Sequence, residues 1–147
     1  MPEKVRILIV DDDPGVLRLA ATVLDRAGYA VHSCASGEEA QRYVVEHPID
    51  LLLTDKDLGS ITGMDVARSA RGVNPSVPVV LMTGAPDLHA MAAFRFQGYL
   101  VKPFKNNKAI HDAVAAAIEA HEGIRAREEM TRKLKEVMAQ LAPKKGA

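Results

Sequence analysis

The sequence predicts an α/β fold in which a five-stranded parallel sheet is covered by helices on both faces. Short apolar runs alternate with segments of helical periodicity over about the first 120 residues, and this alternation is typical of βα repeats. The run Asp50–Thr54 is apolar almost throughout, as expected of a central strand buried on both faces. With 147 residues, 48% hydrophobic and 26% charged, the chain is predicted to form one globular domain.

Each predicted strand is a short apolar run bounded by polar or turn-forming residues. Pro75 and Pro78 bracket the entry to the fourth run, and Pro103 breaks the chain after the fifth, because proline cannot donate a ladder hydrogen bond. The five predicted strands are Val5–Val10, Tyr29–Cys34, Asp50–Thr54, Val79–Met82 and Tyr99–Val101.

The helices between these strands carry recognisable start and stop signals. Pro14 suits the first turn of a helix whose apolar stripe ends at Gly28. Ser36 and Glu39 have the spacing of a capping box, which predicts a second helix that runs to His47. Three further helices are predicted, near Met64–Arg71, near Asp87–Phe96 and from about Asn106 to Leu141, and the segment Leu58–Gly63 is predicted to be a loop.

Polar residues follow four of the predicted strands at the point where each strand ends. They are Asp11, Asp12 and Asp13 after the first strand, Asp55 after the third, Thr83 after the fourth and Lys102 after the fifth. Because the carboxyl ends of parallel strands share one edge of a sheet, where open α/β folds bind ligands, these side chains are expected to converge. Asp13 is interpreted differently, as the cap of the helix that begins at Pro14.

The residue types at this edge suit phosphoryl chemistry. Adjacent acids repel one another unless a cation lies among them, and Mg²⁺ prefers carboxylate, water and phosphate oxygens. Asp11, Asp12 and Asp55 can supply such a site. Asp55 can also act as a phosphoryl acceptor, since the transfer needs mainly positioning and charge neutralisation. The ammonium of Lys102 and the hydroxyl of Thr83 can hold the phosphate.

Four segments resemble the motifs of the response-regulator receiver domain of two-component signalling, over about residues 3–120. They are Val10-Asp11-Asp12-Asp13-Pro14, Leu53–Leu58 with Gly63, Leu81–Gly84 and Tyr99–Phe104. The resemblance implies a flavodoxin-like sheet of strand order 2-1-3-4-5, as in the chemotaxis receiver. It also implies a conformational switch in phosphorelay signalling rather than a turnover enzyme.

The same resemblance implies a role for each site residue. Asp55 would take a phosphoryl group from a sensor histidine kinase or a histidine phosphotransfer protein. Thr83 and Lys102 would hold the phosphate, Tyr99 would be an aromatic switch, and the Lys102-Pro103 peptide would be cis. The implied Mg²⁺ ligands are Asp11, Asp12, Asp55 and the backbone carbonyl of Asp57.

The chain departs from the family pattern in three places. Gly59 stands where the family usually has proline, which predicts a looser loop. Asp57 adds a carboxylate beside the phosphoacceptor. The stretch between Thr83 and Lys102 is shorter than usual, so the fourth helix or its following loop is predicted to be trimmed.

Two other functions share single features with this sequence. A haloacid-dehalogenase-like phosphatase would use Asp55 as nucleophile and Asp57 as general acid/base, but such enzymes place the metal-binding acidic pair after the lysine, whereas here Asp11 and Asp12 come first. The pair His121-Glu122 faintly resembles the phosphoaccepting histidine of a kinase, and the rest of that motif is absent.

The last 27 residues are predicted to form a helical extension beyond a receiver domain of residues 1–120. Met130, Leu134, Val137 and Leu141 have the 3-4 spacing of a coiled-coil seam, which predicts a homodimer, with a plain linker as the alternative. Residues 143–147 are predicted to be disordered. The chain is therefore expected to be a stand-alone receiver or a fragment of a larger regulator that dimerises through its linker; the downstream target is unknown.

Composition and charge limit the binding partners and the cellular compartment that the sequence predicts. The net charge is zero, and basic residues of the extension alternate with acids, so nucleic-acid contact is not expected. Because Cys34 is the single cysteine, the chain has no internal disulfide framework, which suits the reducing cytoplasm. The Cys34 side chain is interpreted as a small buried hydrophobic group. The first apolar run is too short for a signal peptide or membrane span. The five histidines show no paired metal spacing.

Overall fold

One parallel sheet of five strands organises the protein. The structure is a computed structural model that describes residues 4–85, 89 and 94–141. The strands of the sheet are β1 (Arg6–Val10), β2 (Ala30–Cys34), β3 (Leu51–Asp55), β6 (Val79–Thr83) and β7 (Gly98–Val101), and two short strands, β4 (Asp57–Leu58) and β5 (Ile61–Thr62), pair separately. The order β2-β1-β3-β6-β7 confirms the predicted 2-1-3-4-5 topology.

Five helices lie within the described ranges. They are α1 (Pro14–Arg26), α2 (Gly37–Glu46), α3 (Gly63–Val73), α4 (Asn107–Ala120) and α5 (Glu122–Leu141). The predicted cap is confirmed at Asp13, whose carboxylate accepts hydrogen bonds from the backbone N–H groups of Gly15 and Val16. The helix predicted near 87–96 lies largely outside the described residues. Within the described ranges, no helix combines the length and apolar composition that a bilayer crossing requires.

The core has two layers, one on each face of the sheet. Leu51 and Leu53 of β3 pack into a cluster with α1 and α4, whereas Leu52 packs into a second cluster with α2 and α3. All three leucines are fully buried, and burial of one such side chain contributes roughly 1.5–3 kcal/mol. The apolar run that predicted a doubly covered strand is therefore explained by alternate residues of β3 facing opposite layers.

The segment after β3 is a hairpin and not the predicted loop. Asp57 pairs with Thr62 and Leu58 pairs with Ile61 in antiparallel register. Gly59 adopts a φ of 89° at the turn, a conformation that proline, fixed near −65°, cannot reach. The hairpin therefore needs glycine at the position where the family usually has proline.

The helix predicted from about Asn106 to Leu141 is divided into two helices. The chain becomes extended at His121, between α4 and α5. The His121 Nδ1 atom lies 3.1 Å from the Ile124 backbone N–H and accepts its hydrogen bond, while Nε2 lies 3.0 Å from the Ser76 carbonyl oxygen. His121 therefore caps the start of α5 and fixes it against the loop before β6.

The first turns of α5 dock at the edge of the sheet where the strands begin. Ile124 is buried in the core cluster of α1 and α4. Arg127 Nη1 lies 2.8 Å from Asp50 Oδ1, and Arg6 Nε lies 3.3 Å from Asp50 Oδ2. Asp50 immediately precedes β3, so these ion pairs hold α5 at the amino edge of the sheet.

Replacing Asp50 with Asn is expected to lower the free energy of unfolding at pH 7 by about 2 kcal/mol, because a buried carboxylate between two arginines is lost. Burial alone would raise the pKa of Asp50, but hydrogen bonds from Arg127 and Arg6 outweigh it and hold the pKa below its usual value. A depressed pKa gives stability that is present above the unfolded-state pKa, about 3.9, and is lost as pH falls through the folded-state value.

Urea unfolding of the wild type and Asp50→Asn across pH tests this expectation. The difference should be largest near neutral pH and shrink below about pH 4. Asp25→Asn, an exposed change on α1, is the matched control and should stay within about 0.5 kcal/mol of the wild type. Equal stability of Asp50→Asn and the wild type at pH 7 would show that the two ion pairs contribute nothing.

Candidate functional site

The carboxyl edge of the sheet brings together the acids that the sequence singled out. Asp11 directly follows β1, Asp55 ends β3, and Val10 is the register partner of Thr54. One carboxylate oxygen from each of Asp11, Asp12 and Asp55 lies within 4.8 Å of the others. Asp11 is fully buried, whereas Asp12 is exposed, so the cluster has a solvent-facing side.

Lys102 supplies the positive charge at this cluster. Its Nζ atom lies 2.5 Å from Asp11 Oδ2 and 3.3 Å from Asp55 Oδ2. Its backbone N–H donates to the Thr83 carbonyl at 2.8 Å, and the Lys102-Pro103 peptide is cis, as the resemblance implied. Lys102 therefore bridges the acids of β1 and β3 from the end of β7.

The positive charge near Asp55 does not fully balance the negative charge of its carboxylate. Burial, followed by repulsion from Asp11, raises the pKa of Asp55 above its usual value despite the opposing attraction of Lys102. Burial would lower the pKa of Lys102, but its hydrogen bond to Asp11 and the charges of Asp11 and Asp55 raise it overall. Lys102 therefore stays protonated, and its single positive charge is shared between two carboxylates. A further cation would bind favourably at this site.

Glycine at position 63 allows the backbone to pass close to Asp55. A Cβ atom there would lie 2.1 Å from the Asp55 carbonyl oxygen, which no side chain tolerates. The Gly63 N–H donates to the Lys56 carbonyl at 2.9 Å, and the Thr54 hydroxyl donates to the Asp55 carbonyl at 3.0 Å. This close approach explains the glycine eight residues after Asp55 in the motif.

Thr83 and Tyr99 occupy different environments on neighbouring strands. Thr83 ends β6 and is buried, and its Oγ1 accepts a hydrogen bond from the Ala85 N–H at 3.1 Å. Among the described residues no acceptor takes the Thr83 hydroxyl proton, so this proton can be donated to a new acceptor at the site. Tyr99 is 44% exposed on β7, with its ring centroid 5.8 Å from that of Phe96, so it lies outside the acidic cluster.

Asp57 is placed beside the cluster and not within it. Its backbone N–H donates a hydrogen bond to the Asp55 carboxylate, and the residue itself is exposed on β4. The three-carboxylate group contains Asp11, Asp12 and Asp55. The side chain of Asp57 is therefore a neighbour of Asp55 that faces solvent.

Two hydrogen bonds of Lys56 at the site had no signal in the sequence. Lys56 Nζ donates to the Ala85 carbonyl oxygen at 3.1 Å, and the Lys56 backbone N–H donates to the Met82 carbonyl at 2.9 Å. These bonds tie the residue after Asp55 to β6 and to the segment that follows Thr83. Neither partner is near in sequence, and a lysine after a strand has no pattern that would indicate such a bond.

A doubly wound sheet of this order, with acids, a hydroxyl and an ammonium at its carboxyl edge, defines a receiver-type phosphoacceptor fold. The family model of the response regulator receiver domain matches residues 7–115. The chain therefore belongs to the response regulator receiver family, and the family predicted from its motifs is confirmed. As a member, it is a phosphoacceptor switch domain of two-component signalling.

Curated relatives agree with this assignment. The transcriptional regulatory protein GlrR of Escherichia coli K12 is 32% identical over 116 residues, which cover 77% of this chain and 26% of that protein. The response regulator receiver protein CpdR of Brucella abortus is 34% identical over 79 residues, covering 54% of this chain and 66% of that protein. The chain thus spans about a quarter of the length of GlrR.

Solved structures show the same fold. A response regulator from Chloroflexus aurantiacus matches with a TM-score of 0.67 and 32% identity, covering 76% of this chain and 95% of that one. The chemotaxis response regulator CheY4 of Vibrio cholerae matches with a TM-score of 0.71 and 24% identity, covering 78% of this chain and 98% of that one. The second likeness concerns the fold alone.

Asp55→Asn is expected to stabilise the metal-free protein at pH 7 by about 1 kcal/mol, since it removes a buried charge that Asp11 repels. The pKa of Asp55 is raised by folding, so its ionised form opposes folding above the folded-state pKa, and this penalty disappears as pH falls through that value. Urea unfolding in a chelator measures the difference. The exposed change Asp57→Asn is the control, and a destabilised Asp55→Asn would contradict the expected repulsion.

Proposed function

We propose that Asp55 accepts the phosphoryl group from a phosphohistidine of a sensor histidine kinase or a histidine phosphotransfer protein. The observation that carries this proposal is the shared ammonium of Lys102, placed 3.3 Å from Asp55 and 2.5 Å from Asp11. Asp55 is the central acid of this arrangement. It lies at the end of the doubly covered strand β3, between the acids after β1 and the hydroxyl at the end of β6.

The transfer step follows from the groups around Asp55. A carboxylate oxygen of Asp55 attacks phosphorus, the P–N bond to the donor imidazole breaks, and the imidazole nitrogen keeps the bonding electrons. Such a transfer depends mainly on positioning and on neutralising the phosphoryl oxygens. Lys102 can move its ammonium from the Asp55 carboxylate to a phosphoryl oxygen, and the Thr83 hydroxyl can donate to another.

A magnesium ion fits the remaining donors of the site. Carboxylate oxygens of Asp11, Asp12 and Asp55 within 4.8 Å of one another are hard ligands of the kind that Mg²⁺ prefers. We propose these three residues and the backbone carbonyl of Asp57 as its protein ligands. When bound, Mg²⁺ supplies the neutralisation of phosphoryl charge that one lysine shared by two acids does not complete.

Phosphorylation is proposed to act as a switch rather than as part of a turnover cycle. Donation by Thr83 to a phosphoryl oxygen would draw the end of β6 toward Asp55. Tyr99 lies on β7, directly paired with β6, so that movement would be passed to the strand that carries the Tyr99 ring. The domain would then pass between two conformations whose populations the phosphoryl group biases.

The phosphoryl donor needs a surface next to Asp55 on which to dock. A groove lined by Val16, Leu19, Pro103 and Phe104 adjoins Lys102 at this edge. An apolar groove suits the apolar face of an amphipathic helix. We therefore propose that the phosphohistidine-bearing partner presents a helix to the groove beside α1.

Asp55 is expected to be the residue that is phosphorylated when the protein is incubated with Mg²⁺ and a small phosphodonor. Mass spectrometry after trapping of the acyl phosphate should place one label on Asp55, and Asp55→Asn should lose it. Asp25→Asn, an exposed change near the end of α1 and away from the acidic cluster, is the control and should keep the label. Label on any other residue, or an unchanged label in Asp55→Asn, would refute the assignment.

The same assay tests the metal ligands. Asp12→Ala removes an exposed hard ligand without touching Asp55, so labelling should slow by at least about tenfold and require more Mg²⁺. Labelling of Asp12→Ala at the wild-type rate and Mg²⁺ dependence would exclude Asp12 as a ligand.

The exposed end of α5 supports a second proposal, a homodimer through the C-terminal helix. Met130, Leu134, Val137 and Leu141 are between 51% and 79% exposed, and an uncovered apolar stripe of this kind favours association. Their 3-4 spacing fits a coiled coil. Four residues form a small seam, so the dimer is expected to be weak.

Leu134→Glu is expected to abolish this association, because it places a charge in the middle of the seam. Light scattering over a range of protein concentrations should show a monomer–dimer equilibrium for the wild type and a monomer for the variant. Gln140→Glu, an exposed change on the same helix outside the seam, should leave the equilibrium unchanged. A concentration-independent monomer for the wild type would leave α5 as a linker.

A further inference from the structure

A second group of metal-binding side chains lies away from the phosphoacceptor cluster. His32 and Cys34 belong to β2, and Glu39 lies in the first turn of α2. One donor atom of each residue lies within 4.8 Å of the other two. Phosphoryl transfer to Asp55 uses none of these three residues, so the group has no role in the proposed function.

The donor types differ from those of the acidic cluster. Imidazole, thiolate and carboxylate together are a set that suits Zn²⁺, whereas Mg²⁺ takes oxygen ligands. Zinc bonds of roughly 2.0–2.3 Å in a tetrahedron separate the donors by about 3.3–3.8 Å. The three side chains therefore need to close by on the order of 1 Å to share one ion, with the fourth position open to water.

We propose that His32, Cys34 and Glu39 form a binding site for Zn²⁺ or a divalent transition metal of similar softness. The strand geometry supports this, because residues two apart on a strand project from the same face, so His32 and Cys34 are neighbours there. Cys34 is buried and His32 is exposed. The ion would enter from the side of His32 and reach the sulfur at the inner end of the site.

Other contacts already hold two of the three ligands in place. The His32 ring stacks on Tyr43 with centroids 4.0 Å apart and planes 10° apart, and Tyr43 stacks in turn on His47 at 4.3 Å. Glu39 Oε2 accepts a hydrogen bond from the Ala35 N–H at 3.3 Å. Support of this kind lowers the cost of ordering the ligands when the ion binds.

Binding exchanges a proton for the metal and changes no oxidation state. Without metal, burial raises the pKa of Cys34 to about 12, followed by the charge of Glu39 and its hydrogen bond with the thiol. When the metal–sulfur bond forms, the S–H bond breaks, and the proton passes by way of the Glu39 carboxylate to solvent. The thiolate, imidazole and carboxylate then surround the ion.

This site lies one strand from the phosphoacceptor cluster. Cys34 pairs with Val10, and the Cys34 carbonyl accepts a hydrogen bond from the Asp11 N–H at 3.2 Å. A metal held by Cys34 would therefore anchor the strand end that also positions Asp11. The two sites are still chemically separate, since one adds a sulfur and a nitrogen donor to its carboxylate and the other offers carboxylate oxygens only.

Titration of the reduced full chain with Co²⁺ tests the proposal, because only a cobalt–thiolate bond gives the near-ultraviolet charge-transfer absorption. The wild type should develop this band with one equivalent of Co²⁺ and lose it when Zn²⁺ displaces the cobalt. His32→Gln, an exposed change, should weaken Co²⁺ binding by at least about tenfold, and Cys34→Ala should abolish the band. His111→Gln is the matched control, since His111 lies on α4 and belongs neither to the ligand group nor to the ring stack that supports His32.

Two results would overturn the site. They are the absence of a thiolate band in the wild type and a band whose metal affinity is the same in His32→Gln as in the wild type. The second result decides the matter even if Cys34→Ala does not fold, since His32 is at the surface. Labelling of Asp55 by a phosphodonor is measured separately, so failure of this site and failure of the phosphoacceptor assignment are distinguishable.

Discussion

The ammonium of Lys102 is the interaction on which the carboxyl edge of this sheet depends. Asp11 is fully buried, and a buried carboxylate without a partner costs several kcal/mol. Lys102 provides that partner at 2.5 Å from a position 91 residues away in the sequence. The ion pair therefore joins the first strand to the last. Asp55 shares the same ammonium, so one positive charge faces two carboxylates. This excess of negative charge suits the site to bind a cation and then a phosphoryl group.

The sequence predicted the sheet and the acidic cluster because both follow from local patterns and one general rule. Alternating apolar runs and helix signals define βα repeats, and parallel strands end at one edge. Asp11, Asp55, Thr83 and Lys102 could therefore be placed together before any distance was known. The structure adds two features that these patterns do not predict. It shows how the charge of Lys102 is divided between two acids and why residue 63 must be glycine.

Features that depend on contacts between distant residues were missed. The break at His121 rests on its bond to Ser76, 45 residues away, and the docking of α5 rests on Arg127 and Asp50, 77 residues apart. A local helix pattern contains neither contact, so the sequence predicted one continuous helix through this point. The hairpin around Gly59 has strands of two residues, too short for periodicity. The grouping of His32, Cys34 and Glu39 had no signal in the sequence, because it depends on how α2 packs against β2.

Asp50 and Asp55 stand at the two ends of β3. A strand of five residues spans about 17 Å, with α5 anchored at one end by Arg127 and the phosphoacceptor chemistry at the other. Any segment that follows this anchor on α5 begins at the opposite end of β3 from the acidic cluster. A displacement produced at Asp55 would therefore have to cross the length of β3 before it reached the Arg127–Asp50 ion pair.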